Sequence, residues 1–248
     1  MSKTFDPMFS TDPTIVSSEP KKENVLGRSL KYNLYIFQLT LNLVAHILIG
    51  IIVGVCLLFT FWNNFPLPLG PTPIHIILCV IGHQLLMAES FLCLSSFNGW
   101  VSKLRHVDKL RAHWVLQIVG SGMALAGSFI KIMDKEVHWN TYHGQFALVA
   151  MVFTVASLLN GLTALYAYEF RKLLNGTLSK LTHICFGTIA FAASGISLCF
   201  AFDYERFRNW SMSEVADVVI ALTAILTFIV IINPFITFYS KATIALRR

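Results

Sequence analysis

Six long apolar runs alternate with short polar connections along the chain. Each run has about the ~20 residues that a helix needs to cross ~30 Å of hydrocarbon. Lipid offers no partner to open backbone groups, so each run is predicted to be helical, and the runs do not fit the short alternating strands of a membrane barrel. The sequence therefore predicts an all-α integral membrane protein. Its six transmembrane helices are predicted near 33–61, 74–97, 112–133, 143–168, 179–202 and 214–240.

The composition agrees with lipid as the solvent for much of the surface. Hydrophobic residues make up 55% and charged residues 13% of the 248 residues, whereas a soluble domain has about 45–50% and about 25%. The net charge of +6 does not indicate nucleic acid, because the basic residues cluster at the ends of the apolar runs. All five cysteines lie inside apolar runs without a metal-ligand spacing, which predicts free, packed thiols.

The two ends of the chain differ from its apolar middle. Residues 1–32 are polar and contain three prolines, a composition that predicts a disordered tail rather than a cleaved signal peptide. The transmembrane domain is predicted to span 33–240, and 241–248 form a short basic cytosolic end. The first apolar run would itself act as the insertion signal.

Lysine and arginine are distributed unevenly between the two sides of the predicted bundle. Fifteen of the 19 lie in the tail, the 98–112 loop, the 169–178 loop with Lys180, and the C-terminal end. Segments rich in these residues stay on the cytosolic side of a membrane. Both termini are therefore predicted to be cytosolic. We expect a multi-pass protein of an endomembrane, such as the endoplasmic reticulum or a vesicle, rather than of the plasma membrane.

Four of the eight histidines occupy equivalent positions near the starts of successive helices. His75 and His143 lie where helices two and four leave the non-cytosolic side, and His113 and His183 lie where helices three and five leave the cytosolic side. The members of the two pairs are 68 and 70 residues apart, which is two helices along in each case. Each pair is therefore predicted to face across a four-helix bundle, one pair near each membrane surface.

Two facing imidazoles are the ligand set of a six-coordinate haem iron, and helix bundles commonly hold such cofactors. A histidine inside a membrane can also be a hydrogen-bonded structural group or part of a proton path, and a single one favours that interpretation. Four at matched depths favour ligands. The sequence thus predicts two b-type haems per chain within helices two to five, with irons very roughly 15–20 Å apart, and electron transfer across the bilayer.

The other four histidines do not fit this pattern. His46 and His83 lie deep in helices one and two and are predicted to be packing histidines with hydrogen-bond partners, with a role in proton transfer as the alternative. His106, in the basic loop, is predicted to be solvated. His138, in the loop on the opposite side, is either a solvated surface group or a substrate contact.

Four short stretches around the paired histidines are similar to a known family. They are His75 with Leu86-Met87-Ala88-Glu89, then Ala112-His113-Trp114-Val115-Leu116-Gln117, Tyr142-His143-Gly144-Gln145 and Lys180-Leu181-Thr182-His183. Across roughly residues 74–202 the chain resembles the cytochrome b561 family, most closely its short branch. That resemblance implies an ascorbate-dependent transmembrane oxidoreductase in which His75 pairs with His143, and His113 with His183, around two haems b.

The resemblance also implies the substrates, namely cytosolic ascorbate as the donor and monodehydroascorbate or a ferric chelate as the acceptor on the far side. The chain departs from the family around the first ligand, which usually stands in a Trp-His-Pro context and here reads Pro73-Ile74-His75-Ile76. His83 is the other candidate for this position. The 14-residue spacing from His75 to Glu89, which keeps the family register, favours His75.

Substrate contacts are predicted at both membrane surfaces. Basic residues near the cytosolic pair would attract anionic ascorbate, and ordinary positive-inside anchoring explains the same residues equally well. On the other side, a histidine and an aromatic residue either contact the acceptor or form part of an interfacial belt. The candidates are Arg105, Lys109, Arg111 and Lys180 on the cytosolic side, and His138 and Tyr142 on the other.

The alternative function is a histidine-lined proton or metal-ion transporter. Metal transporters usually place a carboxylate one turn from a histidine on the same helix, and none of the paired histidines has Asp or Glu at i+3 or i+4. A purely structural scaffold would not explain the matched depths. The expected partners are membrane lipid and the two substrates, with a homodimer among the assemblies considered and no nucleic acid.

Overall fold

The structure is a computed structural model that describes residues 23–64, 68–95, 97–99, 101–166 and 176–246. All the regular structure in this part of the chain is helical. The helices are α1 (Glu23–Asn64), α2 (Pro71–Leu92), α3 (His106–Asp134), α4 (Tyr142–Leu165), α5 (Gly176–Phe202), the short α6 (Glu205–Ser211) and α7 (Ser213–Leu246). The paired histidines and their partners all lie within residues 37–248, which form one compact unit.

Six of these helices, all except α6, are long and apolar enough to cross a membrane, which confirms the predicted number. The end helices extend further than hydropathy predicts, because α1 begins at Glu23 and α7 continues to Leu246. The predicted disordered tail falls largely on residues 1–22, which lie outside the described residues.

The four helices that carry the paired histidines pack as two close pairs. α3 runs along α2, and α4 runs along α5, whereas α3 and α4 contact each other far less. α7 packs against α5. The bundle is therefore two helix pairs placed side by side, and the space between the pairs is where the histidines meet.

An apolar core joins α1, α2, α5 and α7. Ile52, Phe191 and Leu226 are completely buried in it. The opposite faces of the helices carry large apolar side chains that remain exposed, such as Leu159 at 60% and Phe228 at 63%. An exposed apolar surface of this extent fits a lipid environment, where such side chains are at no disadvantage.

Glycines allow α2 and α3 to approach closely at the middle of the bundle. A Cβ added to Gly82 would lie 2.6 Å from the carbonyl oxygen of Gly120 and 2.7 Å from the amide nitrogen of Ala124. Both of those atoms belong to backbone, which cannot move aside as a side chain can. The close crossing of these two helices therefore depends on small residues, as is common in membrane bundles.

A π-helical segment, Val80–Met87, interrupts α2. Segments of this kind carry one extra residue relative to a regular α-helix and are frequent at functional sites. The segment includes Gly82 of the close crossing, His83 and the buried Gln84. The extra residue shifts the register of the second half of α2 relative to its first half.

The short helix α6 is tied to its neighbours by one arginine. The guanidinium of Arg208 donates hydrogen bonds to Asp203 at 2.7 Å and to Asp217 at 2.7 Å. These two carboxylates raise the pKa of Arg208, and Asp203 has the larger effect. The ion pairs thus connect the end of α5 with the start of α7.

Candidate functional site

The structure brings together the four histidines in the two combinations predicted from the sequence. The imidazole rings of His75 and His143, named the first pair, have centroids 6.2 Å apart and planes at 86°. The rings of His113 and His183, the second pair, have centroids 6.1 Å apart and planes at 89°. Each pair joins a histidine from α2 or α3 to one from α4 or α5, so both pairs bridge the space between the two helix pairs.

Each of the four rings is oriented by a backbone carbonyl of the adjacent helix. The Nδ1 atoms donate at 2.9 Å to the carbonyl oxygens of Gly127, Ser90, Ser197 and Ser157, for His75, His113, His143 and His183 respectively. A carbonyl oxygen can only accept, so Nδ1 carries the proton in every ring. The lone pair is therefore on Nε2, which is the tautomer that a metal ligand requires.

Three of the four histidines are each held by two hydrogen bonds to one serine, an arrangement named the serine clamp. The serine carbonyl accepts the Nδ1 hydrogen bond, and its hydroxyl donates to the carbonyl oxygen of the same histidine. The three combinations are Ser90 with His113 (3.2 Å), Ser157 with His183 (3.5 Å) and Ser197 with His143 (2.9 Å). The two hydrogen bonds fix the rotation of the ring and the register of the paired helices at once.

The fourth histidine lacks this hydroxyl. His75 binds the carbonyl of Gly127, and a Cβ added to Gly127 would lie 3.2 Å from the carbonyl oxygen of His75. Gly127 therefore stands where the other three sites have serine. The thiol of Cys79, one turn further along α2, contacts Nδ1 of His75 at 3.5 Å. The first pair is thus held less tightly at His75 than at His143.

Sequence reasoning missed these supporting residues, although a regular spacing carries the signal. Each of α3, α4 and α5 contains one paired histidine and, 14 positions later, the residue whose carbonyl accepts the hydrogen bond of a histidine on the adjacent helix. His113 and Gly127 of α3 are an example. In α2 the interval from His75 to Ser90 is 15 positions. The π-helical segment between them absorbs the extra residue, so both still face the bundle. Fourteen residues of helix separate the two pairs by about 21 Å.

The donor geometry fits a haem iron between the members of each pair. Two nitrogens each about 2.0–2.1 Å from one metal ion, with about 1.1 Å more from nitrogen to ring centre, give ring centroids about 6.3 Å apart. The observed 6.2 and 6.1 Å match that separation. Within the described residues, no hydrogen bond occupies any of the four Nε2 atoms. A Cβ at Gly161 would lie 3.2 Å from Cε1 of His183, so glycine leaves room for this ring.

A cavity of about 320 Å³ adjoins the first pair. Both of its rings line the cavity, together with His83 and Gln84 of the π-helical segment. Of the two candidates in α2, His75 is the one whose ring contacts that of His143. Lysine and arginine side chains line the same cavity, and they are Lys131, Lys135 and Arg206.

The predicted cytosolic contacts differ in how accessible they are. Arg105 and Arg111 are exposed and form ion pairs with Asp108, at 2.8 and 3.3 Å, and this carboxylate raises the pKa of Arg105, which precedes α3. Lys109 is buried, with 8% of its surface exposed, whereas Lys180 is exposed. The structure thus brings the two arginines together around one carboxylate and does not bring all four cations to one point.

The two predicted contacts on the other surface have different surroundings. His138 is exposed and lines a small cavity beside His75 and His143, with its ring 6.1 Å from that of Trp139. Tyr142 is 67% exposed and stacks on the ring of Phe200. His138 thus shares a cavity with the first pair, and Tyr142 directly precedes His143 in the chain.

The serine clamp leads to a prediction for Ser197→Ala. Losing the hydroxyl removes the side-chain hydrogen bond to the carbonyl of His143, in addition to its helical one, and loosens the ring, at about 1 kcal/mol. We expect the bound cofactor of the first pair to show a changed midpoint potential and easier dissociation on heating, followed by absorbance. The control is Ser194→Ala one turn earlier, whose hydroxyl donates to the Phe191 carbonyl of its own helix. Equal behaviour of both variants would contradict the clamp.

Comparison with known proteins agrees with the geometry. Residues 74–209, more than half of the chain, match the family model of eukaryotic cytochrome b561. The Transmembrane reductase CYB561D2 of Mus musculus and that of Homo sapiens are each 31% identical over 96 residues, and that of Bos taurus is 30% identical. The aligned stretch covers 37% of this chain and 43% of each relative, so the chain spans less than half the length of these relatives. No solved structure matches the chain. The match across all four paired histidines shows that the chain belongs to the eukaryotic cytochrome b561 family.

Proposed function

We propose that this protein is a transmembrane oxidoreductase that carries electrons through two b-type haems, from cytosolic ascorbate to monodehydroascorbate or a ferric chelate on the other side. The observation that carries the proposal is the presence of two facing imidazole pairs, each with Nε2 unprotonated, about 21 Å apart along one helix. The relatives named transmembrane reductases support the same reaction class.

In this proposal the chain supplies ligands, orientation and insulation. His75 and His143 would hold one iron and His113 and His183 the other, and a bound haem supplies a one-electron carrier at each pair. The Nδ1 hydrogen bonds to carbonyls keep each ring in position and increase the basicity of Nε2. The apolar helices around both pairs exclude water and ions, so that charge crosses the bilayer as electrons.

The substrates would approach from opposite membrane surfaces. The uneven distribution of Lys and Arg supports a cytosolic location for the second pair and for both termini. The exposed Arg105, Arg111 and Lys180, together with the buried Lys109, would attract ascorbate by charge. His138 and Tyr142 would contact the acceptor, with His138 nearer the first pair. We propose an endomembrane as the location and a homodimer of two such bundles as the assembly.

The decisive experiment combines spectroscopy with vesicle transport. Purified protein should show sharp b-type bands in the dithionite-reduced minus oxidised spectrum, with two haems per chain. Vesicles that contain the protein and are loaded with ascorbate should reduce an external ferric chelate, whereas vesicles without ascorbate or without protein should not. A colourless protein that moves protons or metal ions across the vesicle membrane would instead establish the transporter.

A further inference from the structure

A second polar site lies inside the bundle, away from the four paired histidines. His46 of α1 and Glu89 of α2 form a hydrogen-bonded pair in which Nδ1 lies 2.7 Å from the carboxylate. When the imidazole is neutral, Nδ1 donates to the carboxylate and the pair carries a net charge of −1. The two side chains are largely shielded, with 30% and 18% of their surfaces exposed. The sequence predicted His46 to be a packing histidine with a hydrogen-bond partner, and in the structure that partner is Glu89. A buried ionisable pair at this depth is costly and is usually functional.

Buried polar atoms without a hydrogen-bond partner among the described residues surround this pair. The Nε2 atom of His46, both side-chain heteroatoms of Asn98 and Oδ1 of Asn42 are buried and have no hydrogen-bond partner among the described residues. Asn98 is completely buried and lies beside the imidazole of His46, and the amide of Asn42 reaches Ser95 at 3.4 Å. Buried polar groups without a protein partner are ordinarily satisfied by ordered water. These side chains therefore form a cluster of polar groups beside Nε2 of His46.

The pair is also adjacent to the second imidazole pair. Glu89 precedes Ser90, whose hydroxyl lies 2.9 Å from Nδ1 of His113 and whose carbonyl accepts the hydrogen bond from that ring. Glu89 of α2 thus belongs to the pair with His46, and the next residue, Ser90, holds the proposed haem ligand His113. A change of charge at His46 and Glu89 therefore acts on the second imidazole pair, and the reverse also holds. The interior between them has a low dielectric constant, so this electrostatic interaction is weakly screened.

Among the described residues, few other ionisable groups near His46 and Glu89 could bind a proton in their place. Cys93 lies one turn after Glu89 on α2, and its thiol donates to the carbonyl of the buried Lys109 on α3. The parts of α1 and α7 between 37–64 and 218–238 contain no Asp, Glu, Lys or Arg. Among the described residues, Cys93 and Lys109 are therefore the other ionisable groups on the α2 and α3 side of the pair, and Cys93 interacts electrostatically with both Glu89 and Lys109.

Building on the proposed function, we propose that His46 and Glu89 take up a proton when an electron enters the centre held by His113 and His183. The donor supplies the electron, and cytosolic water supplies the proton through the Asn98 and Asn42 side chains. The proton binds Nε2 of His46, which changes the pair from a net charge of −1 to 0 as the neighbouring centre gains one negative charge. When the electron moves on to the first pair, the proton returns to water.

The test is the pH dependence of the midpoint potential of the second centre, measured by spectroscopic redox titration of the full-length protein. The second centre is identified as the one missing from His183→Ala. Its potential should fall as pH rises through the neutral range, because reduction and proton binding favour each other. The slope should approach one proton per electron and should be largely lost in His46→Gln and in Glu89→Gln. Glu89→Asp should retain part of it.

The control is His106→Gln, which removes an exposed histidine at the start of α3 and should leave the slope unchanged. A second measurement is the reduced minus oxidised infrared spectrum, in which an imidazole or carboxyl signal should disappear in the variants at 46 and 89. A haem-containing protein whose second centre has a pH-independent potential, or whose slope survives both substitutions, overturns this inference. A protein without haem bands overturns the proposed function instead.

Discussion

His113→Ala is expected to remove one of two cofactors and to leave the other in place. The variant should show about half of the reduced minus oxidised absorbance of the wild type, since one iron loses an axial ligand while the other pair is intact. Electron transfer in vesicles should fall to background, because a single remaining centre cannot span the distance of about 21 Å between the pairs. The measurement is absorbance per mole of protein, together with the vesicle assay.

Two comparisons make this result specific. His143→Ala should remove the other half of the absorbance, and the double variant His113→Ala with His143→Ala should be colourless. His106→Ala, on the same helix as His113 and fully outside the pairs, should retain all of it. If His83→Ala rather than His75→Ala abolished the first centre, then the assignment of the α2 ligand to His75 would be wrong.

The arrangement of the helices was accessible from the sequence because it follows from one strong constraint. A bilayer requires uninterrupted helices of about 20 apolar residues, so six runs predict six spans. The pairing of histidines followed from the same constraint, since antiparallel neighbours place the starts of alternate helices at one surface. The structure brings His75 to His143 and His113 to His183, and their role as haem ligands stays a prediction.

The groups that orient the histidines were harder to find because they are small and common. Ser90, Ser157 and Ser197 do not differ in type from other serines of the apolar runs, and only their constant distance from a histidine marks them. The irregular interval in α2 conceals that pattern, since a π-helical segment cannot be read from hydropathy. A sequence search for histidine followed by serine after 14 or 15 residues would have identified all three.

The partnership of His46 with Glu89 was missed for a different reason. It joins α1 to α2 across 43 positions, and neither residue belongs to a periodic pattern that fixes which helix faces its own. Pattern analysis gives the depth of a residue in the membrane, but the rotation of a helix about its axis depends on side-chain packing. The core around Ile52 and Phe191 sets that rotation for α1, and its contacts are not encoded in spacing alone.

Gly82→Ala is expected to disrupt both imidazole pairs although it touches none of the four rings. The added Cβ would meet the Gly120 carbonyl oxygen at 2.6 Å, so α2 and α3 must move apart. Overpacking of this kind costs about 1–3 kcal/mol. His75 of α2 donates to a carbonyl of α3, and His113 of α3 donates to a carbonyl of α2. Separating the two helices therefore loosens one histidine of each pair. Lower haem occupancy and a lower melting temperature in detergent should result.

Gly120→Ala should have a similar effect, because its Cβ would lie 2.9 Å from the carbonyl oxygen of Gly82. The matched control is Gly122→Ala on the same helix, where a Cβ has nothing within 4 Å and points away from the bundle. That variant should be neutral or more stable by about 0.5–1 kcal/mol, since alanine favours a helix over glycine. Equal haem occupancy in Gly82→Ala and Gly122→Ala would show that the pairs do not depend on the close crossing of α2 and α3.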